Sequence, residues 1–157
     1  MNRIFAKIAF AIGFVLGTSP ANAASGAVSL QGDVKLDKAV VENGATHHVL
    51  VTPQKVVPGD KLVFSTNYKN NGGAPVEHFV VTNPLPKGVV YANEGAAGSA
   101  VSVDGGKTWG ALENLKMSDG KGGLRAAQAN DVTLVRWTVA VIAPGTSGAV
   151  SYHATVR

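Results

Sequence analysis

The most informative part of the chain runs from Val57 to Tyr91: VPGDKLVFSTNYKNNGGAPVEHFVVTNPLPKGVVY. Within it, residues 61–69 alternate between apolar and polar side chains, which is the period of a strand with one buried face. Residues 71–73 form a glycine turn, and a second strand follows, on which Val76, His78 and Val80 share a face. The prolines at 84 and 86 provide no backbone donor and end that strand. A short third strand then leads to Tyr91.

Several turn and strand positions in this stretch match a known repeat. The matching positions are Pro58-Gly59-Asp60, Tyr68, Asn70-Asn71-Gly72, Val80-Val81, Asn83, Leu85-Pro86 and Gly88-Val89-Val90-Tyr91. Together they resemble the family called domain of unknown function eleven, a repeat of bacterial envelope and surface proteins. The resemblance implies an immunoglobulin-like β-sandwich, present here as a single copy, with no agreed biochemical activity.

The rest of the chain alternates short β-rich runs with turn signals, as sandwiches and barrels do. Residues 28–42 predict one or two strands, interrupted near Gly32 and Asp33. Asn43-Gly44 predicts a type I′ hairpin turn, followed by a strand over residues 46–52. Residues 92–100 and 116–130 have no regular pattern.

The last two runs predict a terminal hairpin, residues 131–143 and 147–157, with Pro144-Gly145 as its turn. Trp137 and Tyr152 lie on its inner faces, and alternation places Val139 and Val141 beside Trp137. We therefore predict an all-β protein, an immunoglobulin-like antiparallel β-sandwich over residues 28–157. A signal peptide (residues 1–23) and a short tail (residues 24–27) precede it.

The first 23 residues have the parts of a secretory signal peptide. Arg3 and Lys7 form a positive head, residues 8–16 are uncharged and apolar, and Ala21-Asn22-Ala23 is a cleavage site. The apolar run is far shorter than the roughly 20 residues that span a bilayer. The expected location is the periplasm, with release to the medium as the alternative.

Composition limits the possible partners. Cleavage removes two of the positive charges, so the formal net charge falls from +4 to +2. The remaining Lys and Arg are scattered, which argues against nucleic acid as a partner. No later stretch predicts a membrane span. The chain has no cysteine, so neither disulfides nor N-terminal lipidation is expected.

Residues 102–109, SVDGGKTW, match the S-x-D-x-G-x-T-W pattern known as the Asp-box. It resembles the repeated turn of sialidase-type propellers, where it is structural. A propeller needs several blades of about 40 residues or more, and this chain shows a single box. We predict a structural turn alone, formed by Ser102, Asp104, Gly106, Thr108 and Trp109.

Four histidines are the remaining candidates for a metal site, and they are weak ones. His47 and His48 are adjacent on a strand and point to opposite faces, while His78 and His153 lie on other strands. A transition-metal site needs three or four converging ligands, so no metal or other cofactor is expected.

No catalytic motif is present, and we predict a non-catalytic module that contacts unidentified envelope proteins. The alternative is a small metal or ligand binder that uses the strand histidines. The glycine-rich loop Asp119, Gly120, Lys121, Gly122 and Gly123 is the predicted interaction loop, because loops on a rigid scaffold commonly carry binding.

We expect cleavage after Ala23 because the A-x-A site follows an uncharged run. The mature protein would then begin at Ala24 and contain 134 residues. The intact mass of protein purified from the periplasmic fraction measures this directly. A mass that includes residues 1–23 would contradict the prediction.

Overall fold

Strands form most of the described part of the protein. The computed structural model describes residues 26–93 and 96–157, so the predicted signal peptide lies outside the described residues, as do the first two residues of the predicted tail. The strands are β1 (Val28–Glu42), β2 (Ala45–Val51), β3 (Lys61–Asn70), β4 (Val76–Pro84), β5 (Val89–Ala92), β6 (Ser99–Ser102), β7 (Lys116–Ser118), β8 (Leu124–Ala126), β9 (Leu134–Ile142) and β10 (Ser147–Val156). Two short 3₁₀ helices, Leu112–Asn114 and Ala129–Asp131, lie between β6 and β9.

The strands form two facing sheets and one separate hairpin. The larger sheet has the order β2-β1-β3-β10-β5, and the smaller has the order β4-β9-β6. Strands β7 and β8 pair only with each other. Every pairing is antiparallel. The predicted all-β antiparallel sandwich is therefore confirmed.

The sheets share their strand positions with an immunoglobulin constant-type domain. Four strands on one side and three on the other is the immunoglobulin arrangement, and β2 extends the larger sheet by one. The order in which the chain visits the last three positions is the reverse of the immunoglobulin order. After β5 the chain enters the smaller sheet at its edge as β6, continues beside it as β9, and then returns to the larger sheet as β10.

Aromatic side chains from both sheets meet in the core. The ring of Tyr152 lies 5.0 Å from that of Phe64, centroid to centroid, and 6.2 Å from that of Trp137 on the opposite sheet. The ring centroid of Tyr91 lies 6.4 Å from that of Tyr152. These rings, with aliphatic side chains around them, form one core between the sheets. Its buried members are Leu62, Phe64, Val89, Tyr91, Val101, Val103, Val132, Val135, Trp137, Tyr152, Ala154 and Val156.

The predicted terminal hairpin is wrong. Strand β9 pairs with β4 and β6, whereas β10 pairs with β3 and β5. Pro144-Gly145 does form a turn, since the Thr146 amide donates to the Ala143 carbonyl at 3.1 Å. The main chain of Asn70, at the end of β3, bonds to Gly145 and Thr146, so the chain leaves one sheet and joins the other.

The predicted inner face of β9 is also wrong at its end. Val141 is 56% exposed, whereas Ile142 is 1% exposed and buried. On the neighbouring β4, Val76 is buried and Val80 exposed, although alternation predicts both on one face. The ladder omits His78, whose φ is 51°. A left-handed residue inside a strand interrupts the regular pleat, so inward and outward positions exchange there.

Two further expectations need correction. Strand β1 is continuous through Gly32 and Asp33, which pair with Thr66 and Ser65 of β3. The segments predicted to be irregular contain the first two residues of β6 and the whole β7/β8 hairpin. The turn at Asn43-Gly44 is confirmed, because both residues have positive φ, 52° and 78°, as a type I′ turn requires.

Replacing Trp137 by alanine should destabilise the protein far more than replacing Trp109. Trp137 is 5% exposed and stacks on Tyr152 across the sandwich, so its loss should cost about 3–5 kcal/mol. Trp109 is half-buried at a turn. Denaturant titration of both variants measures the two losses. Equal losses would contradict this view and place Trp109 in the core.

Candidate functional site

The residues of the Asp-box come together in one turn after β6. The Asp104 carboxylate accepts hydrogen bonds from the Ser102 hydroxyl at 2.8 Å and from the Thr108 hydroxyl at 2.7 Å. It also accepts from the backbone amides of Lys107, at 3.0 Å, and Thr108, at 3.0 Å. The Ser102 hydroxyl in turn accepts from the Gly106 amide at 2.8 Å. Both Asp104 oxygens are thus engaged by donors of their own turn.

These donors hold the pKa of Asp104 well below its usual range, with the Thr108 amide and hydroxyl as the largest causes. A carboxylate so stabilised in its charged form is a poor general base. The Trp109 indole donates to the Gly106 carbonyl at 2.9 Å. The Arg136 guanidinium lies 4.1 Å from the centroid of its ring, a cation–π contact that ties the turn to β9. This geometry supports a structural role.

The predicted interaction loop is the five-residue connection between β7 and β8. The Asp119 carboxylate accepts from the Lys121 amide at 2.7 Å and from the Gly123 amide at 2.9 Å, and these bonds lower its pKa. Gly120 and Gly122 have positive φ, so residues with a side chain are disfavoured there. The loop is an ordered hairpin turn, and its role in binding stays a prediction.

The adjoining Leu124 is 71% exposed. It pairs with Ser118 on one face of the hairpin, whereas Met117 and Arg125 occupy the other. Met117 packs against the core. The hairpin therefore directs Leu124 away from the sandwich.

A contact that the sequence did not reveal supports this hairpin. The two guanidinium nitrogens of Arg125 donate to the two oxygens of Asp131, at 2.6 and 2.7 Å. The Gln128 amide donates to the same carboxylate at 2.8 Å. The ion pair lowers the pKa of Asp131 and raises that of Arg125. An Arg and an Asp six residues apart match no motif, so only the folded turn brings them together.

The four candidate histidines lie apart. His47 and His48 are exposed on β2, His78 is on β4 of the other sheet, and His153 is half-buried on β10. His48 contacts a carboxylate, since an oxygen of Asp37 lies 2.7 Å from its Nδ1. Within residues 26–93 and 96–157, no three His, Asp or Glu side chains are grouped closely enough to hold a metal ion.

The comparison with protein-family models gave no match, and the searches of curated proteins and solved structures found none above the threshold for similarity. The resemblance to a bacterial envelope repeat therefore depends on its matching residues alone. No helix in the described part of the chain is long and apolar enough to cross a membrane.

Replacing Asp104 by asparagine should destabilise the protein at neutral pH, because an amide offers one acceptor where four donors converge. The pKa of Asp104 is lower in the folded state than in the unfolded chain. The charged carboxylate therefore contributes fully to the free energy of unfolding at pH values above the ordinary pKa of an aspartate, about 3.9. That contribution is lost as pH falls toward the depressed pKa.

The stability difference between wild type and Asp104→Asn should therefore shrink in acid. Urea titrations at pH 7 and at lower pH measure it, and Glu113→Gln, at an exposed 3₁₀ residue, controls for the loss of one surface charge. A difference that stays constant with pH would show that the carboxylate charge does not stabilise the turn.

Proposed function

We propose that the protein is a non-catalytic immunoglobulin-like module of the bacterial cell envelope that binds another envelope protein. Its location in the periplasm, or outside the cell, is inferred from the signal peptide pattern. The resemblance to the envelope repeat supports the same assignment. No catalytic activity is proposed, because the carboxylates of the two candidate turns are engaged in local hydrogen bonds.

The observation that carries the proposal is the position of Leu124. Isolated exposed leucines are common on protein surfaces, but this one lies on a hairpin held by a two-bond ion pair and by the Asp119 turn. A rigid hairpin loses little conformational entropy on binding. An exposed apolar side chain on such a support is a suitable anchor for a partner.

The alternative, a metal binder using His47, His48, His78 and His153, has no comparable observation in its favour. These residues are spread over three strands in two sheets. A stoichiometric transition metal in the purified protein, measured by elemental analysis, would favour it.

Leu124→Ser tests the binding role. The residue is 71% exposed, so the free energy of unfolding should change by about 0.5 kcal/mol or less. Capture of envelope proteins in pull-downs from the native cell should be weakened. Val80→Ser is the matched control, since Val80 is 48% exposed on the smaller sheet and its loss should leave capture unchanged.

A variant in which Asn-Gly replaces residues 119–123 keeps a two-residue turn between the paired Ser118 and Leu124. It should fold with a nearly unchanged melting temperature and, like Leu124→Ser, capture envelope proteins less well. If both variants fold and capture the same partners as wild type, the hairpin is not the binding surface.

A further inference from the structure

The two sheets have four edge strands, and three of them have features that prevent pairing with another chain. Strands β5 and β6 are four residues long, and short edges offer little to a partner. The Val101 amide and carbonyl of β6 also bond to Gly110, at 2.8 and 3.1 Å. Strand β4 ends in Pro84, follows Pro75 and is interrupted at His78.

Strand β2 has none of these features. It is seven residues long, with the sequence ATHHVLV, and every residue in it is exposed. It contains no proline, no Lys, Arg, Asp or Glu, and no interruption in its register with β1. Long, flat, uncharged edges are the ones that natural proteins normally protect. Among the described strands, β2 is the one long edge left open.

The edge also extends beyond the sandwich. Residues 28–37 of β1 pair with β3, whereas residues 36–42 pair with β2. Residues 38–49 are therefore a two-stranded arm, and none of the other described strands lies beside it. Exposed aliphatic side chains lie on both faces of the β1/β2 hairpin. Val49 and Val51 alternate with Leu50 along β2, and Val41, 73% exposed, lies on the face of Leu50. A two-stranded ribbon alone is marginally stable in water.

We propose that β2 pairs antiparallel with β2 of a second copy of this chain, across a two-fold axis at His48. The free hydrogen-bonding groups determine this register. The two-residue turn makes Glu42 and Ala45 a hydrogen-bonded pair, and such pairs alternate along an antiparallel ladder. The amides and carbonyls of Thr46, His48 and Leu50 therefore point away from β1. Centring the axis on His48 pairs all three with their counterparts.

Side-chain chemistry selects a second copy over a charged partner strand. In this register Thr46 faces Leu50, His47 faces Val49, and Ala45 faces Val51 of the other copy. No such pair brings two permanently charged side chains together. An uncharged edge offers no charge complementarity to a foreign strand. The two His48 rings meet on the axis, and each has its own Asp37 at 2.7 Å.

The dimer joins two five-stranded sheets into one continuous sheet over an edge about 24 Å long, at 3.4 Å per residue. An edge of this length is small for a protein–protein interface, so the dimer is concentration-dependent. It involves the opposite edge of the molecule from β5 and none of the β7/β8 hairpin, and it does not depend on the proposed function.

Single cysteines test the register, because the chain has none of its own. Across the proposed axis, the Cα atoms at position 48 of the two copies lie about 5.5 Å apart, within the range of a disulfide. The Cα atoms at position 45 of the two copies lie about 20 Å apart, at 3.4 Å per residue. Under mild oxidation, His48→Cys should form a covalent dimer and Ala45→Cys should remain monomeric. Equal cross-linking of the two variants, or faster cross-linking at position 45, overturns the register.

A lysine placed on the edge tests the surface itself. Leu50→Lys changes a residue that is 57% exposed, and edge lysines oppose strand addition. Sedimentation should show a concentration-dependent dimer for wild type and a monomer for this variant. At a concentration low enough for wild type to be monomeric, the two proteins should have the same melting temperature. Adding Leu50→Lys to His48→Cys should abolish the cross-link. A wild type that stays monomeric, or a dimer that survives Leu50→Lys, overturns the proposal.

Discussion

The side chain of Asn70 is fully buried, and each of its hydrogen-bonding groups has a partner. Its amide nitrogen donates to the carbonyls of Ala74, at 2.8 Å, and Ile142, at 2.9 Å, and its oxygen accepts from the Gly72 amide at 2.9 Å. Its main chain bonds to the turn after β9. One residue therefore joins two of the places where the chain crosses between the sheets, from β3 to β4 and from β9 to β10. Because an unpaired buried amide costs about 1–3 kcal/mol, these crossings are stabilised together.

The crossings explain why neighbouring strands in the chain so seldom pair. Only β1 with β2 and β7 with β8 are local pairs among the described strands, and every other pairing joins distant segments. A second polar contact, between Thr66 and Asn83 at 2.8 Å, links the sheets beside the aromatic core. The strands that pair across long stretches of sequence enclose the core. The two local hairpins extend from it and carry the most exposed of the large aliphatic side chains, Val41 and Leu124. The two proposed contact surfaces both lie on local hairpins.

Sequence patterns predicted local structure well and pairing poorly. Alternation in β3 and β10 identified the buried Phe64 and Tyr152, because a period of two reports which side chains share a face. The same period does not identify the partner strand, so the hairpin predicted from β9 and β10 is wrong. The left-handed backbone at His78 was not predicted, because histidine, although enriched at positive φ, adopts it in only a small fraction of cases. The Asp104 turn was recognisable because all its donors lie within a few residues, whereas the Arg125–Asp131 contact and the open edge of β2 depend on the assembled fold.

The bond from Asn70 to Ile142 joins residues 72 positions apart, and β3, at the centre of the larger sheet, has the last strand as a neighbour. A chain that emerges from its N-terminus therefore cannot complete this sheet until β10 is available. Such distant pairing makes folding slow, and Leu62 and Phe64 stay uncovered in the meantime. An extended chain is the form that passes through a narrow translocation pore. The late pairing of β3 with β10 keeps the chain extended for longer, which suits the export that we propose for this protein.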